Sequence, residues 1–361
     1  MSIFTDVFED VTKQGRKIST SDYHETGLHP IVDQGQSAIA GYTDETDGLF
    51  TDVPAIIFGD HTRVLKYVDT PCFLGADGVK LLKAKIPNPN YKYLYYALSS
   101  ADIPNTGYNR HFKWLKEVDI PLPTETEQQQ IVDVLDKISK LIALRKEQLA
   151  KLDQLVKSRF IELFGDADYP KVLFENVCVF LRNGASIKQT KGAGGYPITR
   201  IETLSNDVFN IDRLGYADIT DLEKYQGYVL HTGDILISHI NSVAYLGRAV
   251  QYRGQLDTPI IHGMNLLCAR IADSYNPTYI EWFFKTPMAK EYISTITKKA
   301  VNQASITTSD LKKMQVPNPP KNLQDQFAAF VEQTDKSKLA IQQSLNKLEL
   351  LKKSLMQEYF G

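Results

Sequence analysis

Sliding the sequence along itself by 196 residues lays positions 120–165 over positions 316–361 without a gap, and 14 of those 46 positions are identical. Nothing else in the chain restricts its fold as strongly, because a segment used twice must find two equivalent environments. Pro121, Pro123, Gln128 and Gln130 return as Pro317, Pro319, Gln324 and Gln326. Further along, Leu149, Lys151, Leu152, Leu155, Lys157 and Ser158 return as Leu345, Lys347, Leu348, Leu351, Lys353 and Ser354, and both copies close on Phe-Gly.

Each copy reads as a long helix. The prolines stop a preceding strand and hold an extended lead-in. Thr124 followed by Glu127 has the spacing of a capping box. In the first copy Ile131, Leu135, Ile138, Ile142, Leu149, Leu152, Val156 and Leu163 alternate at spacings of four and three, a coiled-coil seam that also holds Arg145 and Arg159. Phe327, Val331, Ile341, Leu345, Leu348, Leu355 and Tyr359 keep that register in the second copy, interrupted by Thr334, Lys338 and Lys352. A helix of about 38 residues is about 57 Å long, several times an ordinary globular helix. It needs a long partner, and the other copy is the nearest one to hand. The alternative is that each helix packs alone on its own domain.

Two segments remain, 1–119 and 166–315, each the size of one domain. They carry short apolar runs of strand type: AIIFG at 55–59, GDILISHI at 233–240 and NLLCARI at 265–271. Asn88-Pro89-Asn90-Tyr91 and Asn276-Pro277-Thr278-Tyr279 each signal a turn followed by a short helix. The expected fold is therefore α+β. Two globular mixed modules, 1–119 and 166–315, are separated by two spacer helices, 120–165 and 316–361. Antiparallel pairing of the helices would give a coiled coil with an internal pseudo-two-fold axis. Similar modules at a set separation suit a ligand with two sites at a set distance, and duplex DNA is such a ligand.

The net charge of −2 argues against a stand-alone polycation that coats nucleic acid. Residues 1–119 hold 12 basic and 16 acidic side chains, and residues 166–315 hold 16 and 15, so any DNA contact is local or shared with a basic partner. No apolar run approaches the length of a membrane span. Cys72, Cys178 and Cys268 are odd in number and far apart, which points to buried thiols in a reducing, cytoplasmic setting.

Catalytic signatures fail one by one. Asn318-Pro319-Pro320 is followed by Lys321, so the aromatic of an amino-methylation motif is missing. KGAGGYP at 191–197 lacks the glycine spacing of a dinucleotide loop and the Lys-Ser/Thr of a P-loop; it reads as a loop, with Lys188 and Lys191 as candidate DNA contacts. The histidines show no metal spacing, and Glu-x-Lys is absent from the sequence. No cofactor and no catalytic residue is expected.

At family level the whole chain resembles the specificity subunits of type I restriction-modification systems. The resemblance rests on IPLPTETEQQQIVDVLDKISKL…KLDQLVKSRFIELFGD at 120–166 and its echo at 316–361. In the globular parts it rests on PIVDQGQSAIAGYTDE, IIFGDHTRVLKYVD and GADGVKLL, then YPITRIETL, HTGDILISHINSVAYLGRAVQY and NPTYIEWFF. The echo departs from the family where Leu323-Gln324 replaces the frequent Glu-Gln. The resemblance implies a non-catalytic subunit with two target-recognition domains, each reading half of a split double-stranded DNA target. It also implies two methyltransferase subunits docked on the helices, with restriction subunits in the full complex. The repeated Gln128, Gln130, Gln324 and Gln326 are the docking positions we expect. The competing reading is a non-catalytic coiled-coil scaffold joining two protein-binding modules.

Base readout needs directional donors and acceptors on loops or strand ends. In the first module these are Gln34 and Gln36 beside a glycine, His61 and Arg63 after an apolar run, and the basic stretch Arg110, His111 and Lys113. In the second they are Arg200, then Ser238, His239, Asn241 and Ser242, then Arg248, and Asn302 with Gln303. Arg200 also has Glu202 and Asp218 within reach as ion-pair partners, and His61 beside Asp60 also fits a turn.

Overall fold

The computed structural model describes the chain except Ala76, Asp166, Ala167, residues 191–193, Val301 and Asn302. It divides into two compact units, Met1–Gln148 with Ile341–Gly361, and Leu149–Ala340. The repeated segments are helices Glu125–Phe164 and Lys321–Phe360, each of 40 residues, whose bounds coincide after the 196-residue shift. Neither unit ends at a helix boundary. Each takes a stretch of both long helices, because only together do those stretches bury their apolar faces.

In the first unit, Val132 and Leu135 near the start of one helix share a core with Leu355, Met356, Tyr359 and Phe360 at the end of the other. Farther along, Lys146 Nζ meets Glu349 at 2.9 Å, so the two stretches run antiparallel. In the second unit, Val156, Phe160 and Phe164 share a core with Phe327 and Val331. There Lys338 pairs with Asp153 at 2.6 Å, again antiparallel. The expected capping box forms: Thr124 N donates to Glu127 Oε2 at 2.9 Å, and Glu127 N to Thr124 Oγ1 at 3.4 Å. The seam departs from the expected spacing at one end, where Phe160 and Phe164 are buried and Leu163 only partly so. Large rings at successive helical turns fill the space better than the heptad register does.

The globular parts follow one plan. The first unit has an antiparallel sheet in the order Phe8–Asp10, Val79–Ala84, Ala55–Gly59, Leu65–Val68. The second has Cys178–Asn183, Leu266–Ile271, Ile235–Ser238, Ala249–Gln251 in the same order. A parallel pairing accompanies each: Ile31 with Phe73 in the first, Ile198 with Ile261 in the second.

The attachment of each sheet to its helices is also repeated. Helix Tyr91–Ser100 is capped by Asn90, and helix Pro277–Phe283 by Asn276. Tyr93 Oη donates to Pro121 O at 2.8 Å, and Tyr279 Oη to Pro317 O at 2.8 Å. Asn90 Nδ2 reaches Gln129 Oε1 at 3.2 Å, and Asn276 Nδ2 reaches Asp325 Oδ1 at 2.8 Å. Gln129 and Asp325 are themselves 196 residues apart. The proline lead-ins therefore act as acceptor ledges: their carbonyls lie outside the helical ladder and take tyrosine hydroxyls instead.

Candidate nucleic-acid interface

The candidate residues of the first unit gather at one end of its sheet, around the turn that follows Gly59. Arg63 there holds φ +62° and sends Nη1 to Ile103 O at 2.9 Å. Gln34 binds the same turn from the side. Its Oε1 accepts from His61 N at 3.2 Å, its Nε2 donates to Asp77 O at 2.9 Å, and its backbone carbonyl accepts from Thr62 Oγ1 at 2.6 Å. A Cβ on Gly78, which holds φ +87°, would come within 2.8 Å of the Gln34 amide and the His61 ring, so only glycine fits. The half-buried His61 ring stacks on Tyr108 with centroids 4.6 Å apart and planes 7° from parallel. Tyr108 is 86% exposed and was missed by the sequence reading, although it sits in the turn-rich stretch Asn105-Thr106-Gly107-Tyr108-Asn109.

Gln36, Arg110 and Lys113 are exposed near this cluster, with Lys113 Nζ over the Trp114 ring at 4.1 Å. His111 differs from the sequence expectation. It is wholly buried, and its Nδ1 donates to Asp60 O at 2.9 Å, which leaves Nε2 to accept from Thr106 N at 3.4 Å. A carbonyl only accepts, so the tautomer is fixed. Asp60 Oδ1 accepts from Phe112 N at 2.8 Å. His111 thus holds the Thr106–Asn109 loop against the turn and offers nothing to solvent.

In the second unit the turn after Ser238 is longer and includes strand Ile240–Asn241, which pairs with Ala304–Ser305. This pairing brings exposed Gln303 beside Asn241 and Ser242; Asn302 lies outside the described residues, as does Lys191. Asn241 Nδ2 donates to Ser238 Oγ at 3.2 Å, and Asn241 Oδ1 accepts from Ser242 N at 2.8 Å. Ser238 and His239 are buried, against expectation. Burial lowers the His239 pKa, so its ring is neutral at pH 7, and its backbone carbonyl accepts from Ile306 N at 2.9 Å. Both residues support the turn from within. Arg248 lies over Tyr245 at 4.7 Å, with Nε 3.0 Å from Asp207 and Nη1 on Leu204 O at 3.0 Å. Arg200 is exposed and stands 3.8 Å from Glu202. Lys188 lies 3.9 Å from Asp218.

The two sets occupy matching places. Gly59 and Ser238 end equivalent central strands, so the His61–Arg63 turn corresponds to the Ser238–Arg248 turn. Through the parallel pairings, His29-Pro30-Ile31-Val32-Asp33 corresponds to Tyr196-Pro197-Ile198-Thr199-Arg200. The sequence reading of Gln34 and of Arg200 had therefore landed on one loop in both units.

On the helices, Gln324 is fully buried, donating to Pro319 O at 2.8 Å and accepting from Asn276 N at 2.9 Å. Gln128 is buried as well and donates to Pro123 O at 3.0 Å. These two glutamines fasten the helix starts, while Gln130 and Gln326 remain exposed.

A protein built of two like modules, each ending a sheet in polar loops and each joined to a long helix, is an internally duplicated protein. The sequence model described as "Type I restriction modification DNA specificity domain" matches residues 3–154 and again 171–350, and the chain belongs to that family. A Methanocaldococcus jannaschii chain with the provisional name of type I restriction enzyme MjaX specificity subunit is 36% identical over 187 residues, 52% of this chain and 44% of that one. The EcoKI specificity subunit of Escherichia coli K12 is 25% identical over 241 residues, 60% of this chain and 50% of its own. The chain thus spans about half the length of the curated relatives it matches. A crystal structure of the type I restriction-modification S subunit from M. genitalium shares the fold, with TM-score 0.64, 16% identity and coverage of 99% of this chain and 95% of that one.

Proposed function

We propose that this chain is the non-catalytic, sequence-reading subunit of a type I restriction-modification complex. Residues 1–119 and 166–315 serve as its target-recognition domains, and 120–165 and 316–361 as the spacer helices. Each domain reads one half of a bipartite double-stranded DNA target with the loops at its sheet end. Gln34, Gln36, His61, Arg63, Arg110 and Lys113 contribute in the first domain; Arg200, Asn241, Ser242, Arg248 and Gln303 contribute in the second. His111, Ser238 and His239 hold those loops in place from within.

The observation that carries this reading is the placement of equivalent polar turns at the same end of two equivalent sheets. The near-neutral charge argues that phosphate neutralisation is shared, since a reader that binds several phosphates alone is strongly basic. Two methyltransferase subunits docked on the helices supply it, with exposed Gln130 and Gln326 at equivalent docking positions, and restriction subunits join in the complete assembly. Replacing residues 166–315 with the corresponding segment of a relative tests the scheme. The methylated motif of the reconstituted complex should change in one half and stay constant in the other. Change in both halves, or in neither, refutes modular reading.

A further inference from the structure

The second unit holds a polar cleft of about 310 Å³ just past strand Tyr196–Ile198, and Gln189, Arg200, Glu202 and Asn265 line it with Ile187 and Met264. Gly215 sits against two of these side chains: an added Cβ there would lie 2.7 Å from Gln189 Oε1 and 3.0 Å from Arg200 Cδ. Arg200 and Glu202 are exposed, and Arg200 Nε stands 3.8 Å from Glu202 Oε2. That is beyond hydrogen-bond length, and an exposed pair of this kind adds little to stability. The fold does not need this carboxylate.

The matching loop of the first unit carries a glutamine held by its own unit. Gln34 corresponds to Ile201 and has both amide atoms engaged, on Asp77 O and His61 N. The two units thus carry different side chains at this loop, as two readers of different half-sites would.

A carboxylate facing DNA is repelled by phosphates. The favourable partner it has in the major groove is an exocyclic amine, on cytosine N4 or adenine N6. Every base pair sets an amine next to a carbonyl oxygen in the major groove, in an order that differs between A·T and G·C, and a donor-only guanidinium beside an acceptor-only carboxylate complements one order and not the other. We infer that this cleft reads one base pair of the half-site assigned to the second domain. Glu202 accepts from the amine, Arg200 donates to the carbonyl of the paired base, and Gln189 and Asn265 flank them. This inference rests on the function proposed above.

The test uses the complex reconstituted with its methyltransferase subunits and a randomised duplex library, sequenced after selection. Glu202→Gln gives the side chain a donor beside its acceptor and removes the phosphate repulsion. Discrimination at one position of one half-site should relax on the order of tenfold, while total DNA binding rises and the other half is unchanged. Gly215→Ala, which displaces Gln189 and Arg200, should weaken preference at the same position or its neighbour. An unaltered motif with Glu202→Gln overturns the inference, as does uniform weakening at all positions. If the unmodified complex selects no bipartite sequence, the functional proposal fails first and the cleft with it. If it selects one and ignores Glu202→Gln, only the cleft fails.

Discussion

Phe327 offers the sharpest test of how the repeated helices are held. Its side chain is fully buried and meets Phe160, Phe164 and Trp282 edge-on at 5.3, 5.7 and 5.8 Å. The repeat-equivalent residue in the first unit is Ile131, which is only partly buried against its core. Truncating a buried phenylalanine costs about 3–5 kcal/mol through lost transfer energy and the cavity left behind. A partly exposed isoleucine forfeits about 1–2 kcal/mol, a fraction of full side-chain burial. Phe327→Ala should therefore destabilise the second unit by about twice as much as Ile131→Ala destabilises the first. The chain's two tryptophans separate the readouts, because Trp114 lies in the first unit and Trp282 in the second. Urea unfolding followed by fluorescence in Trp114→Phe and Trp282→Phe backgrounds reports each unit alone. At ~1–3 kcal/mol per molar urea, the Phe327→Ala midpoint should fall by about 1 M or more. Equal losses for the two variants, or a Phe327→Ala loss below about 2 kcal/mol, would refute the packing argument.

Two further tests concern titration. Burial, with Arg182 nearby, pushes the His262 pKa down to about 4 from an ordinary 6.5. The unfolded chain therefore binds this proton first as pH falls, and the second unit should lose about 3 kcal/mol between pH 6.5 and pH 4 from this residue. Chemical denaturation across that range should show the slope flattened in His262→Gln, and an unchanged slope would contradict the assignment. Lys352 takes the repeat position of the fully buried Val156, and burial lowers its pKa, with Lys146 acting in the same direction and Asp136 opposing. Its charge destabilises the folded unit at neutral pH, and the penalty fades as pH rises toward 10.5. Lys352→Met should raise the Trp114-reported midpoint at pH 7 and gain progressively less as pH approaches 10.5; a lower midpoint at pH 7 would sink the idea.

The duplication, the two long helices and the capping box of the first were legible in the residues themselves. Pro121 with Pro317, Thr124 with Glu127, and Asn90 with Asn276 act over a few residues, and short-range chemistry is written in sequence. The strands at 55–59 and 266–271 were legible for the same reason, as apolar runs bounded by turn residues. His111, Ser238, His239 and Gln324 were not, because a polar side chain looks the same whether it faces water or a buried carbonyl. Only tertiary contacts made across 51 residues for His111 and 48 for Gln324 decide the matter. The cleft beside Gly215 is a product of the same level of structure. Gln189, Arg200 and Asn265 come from three separate chain segments, and no local pattern could announce that the fold sets them around one opening.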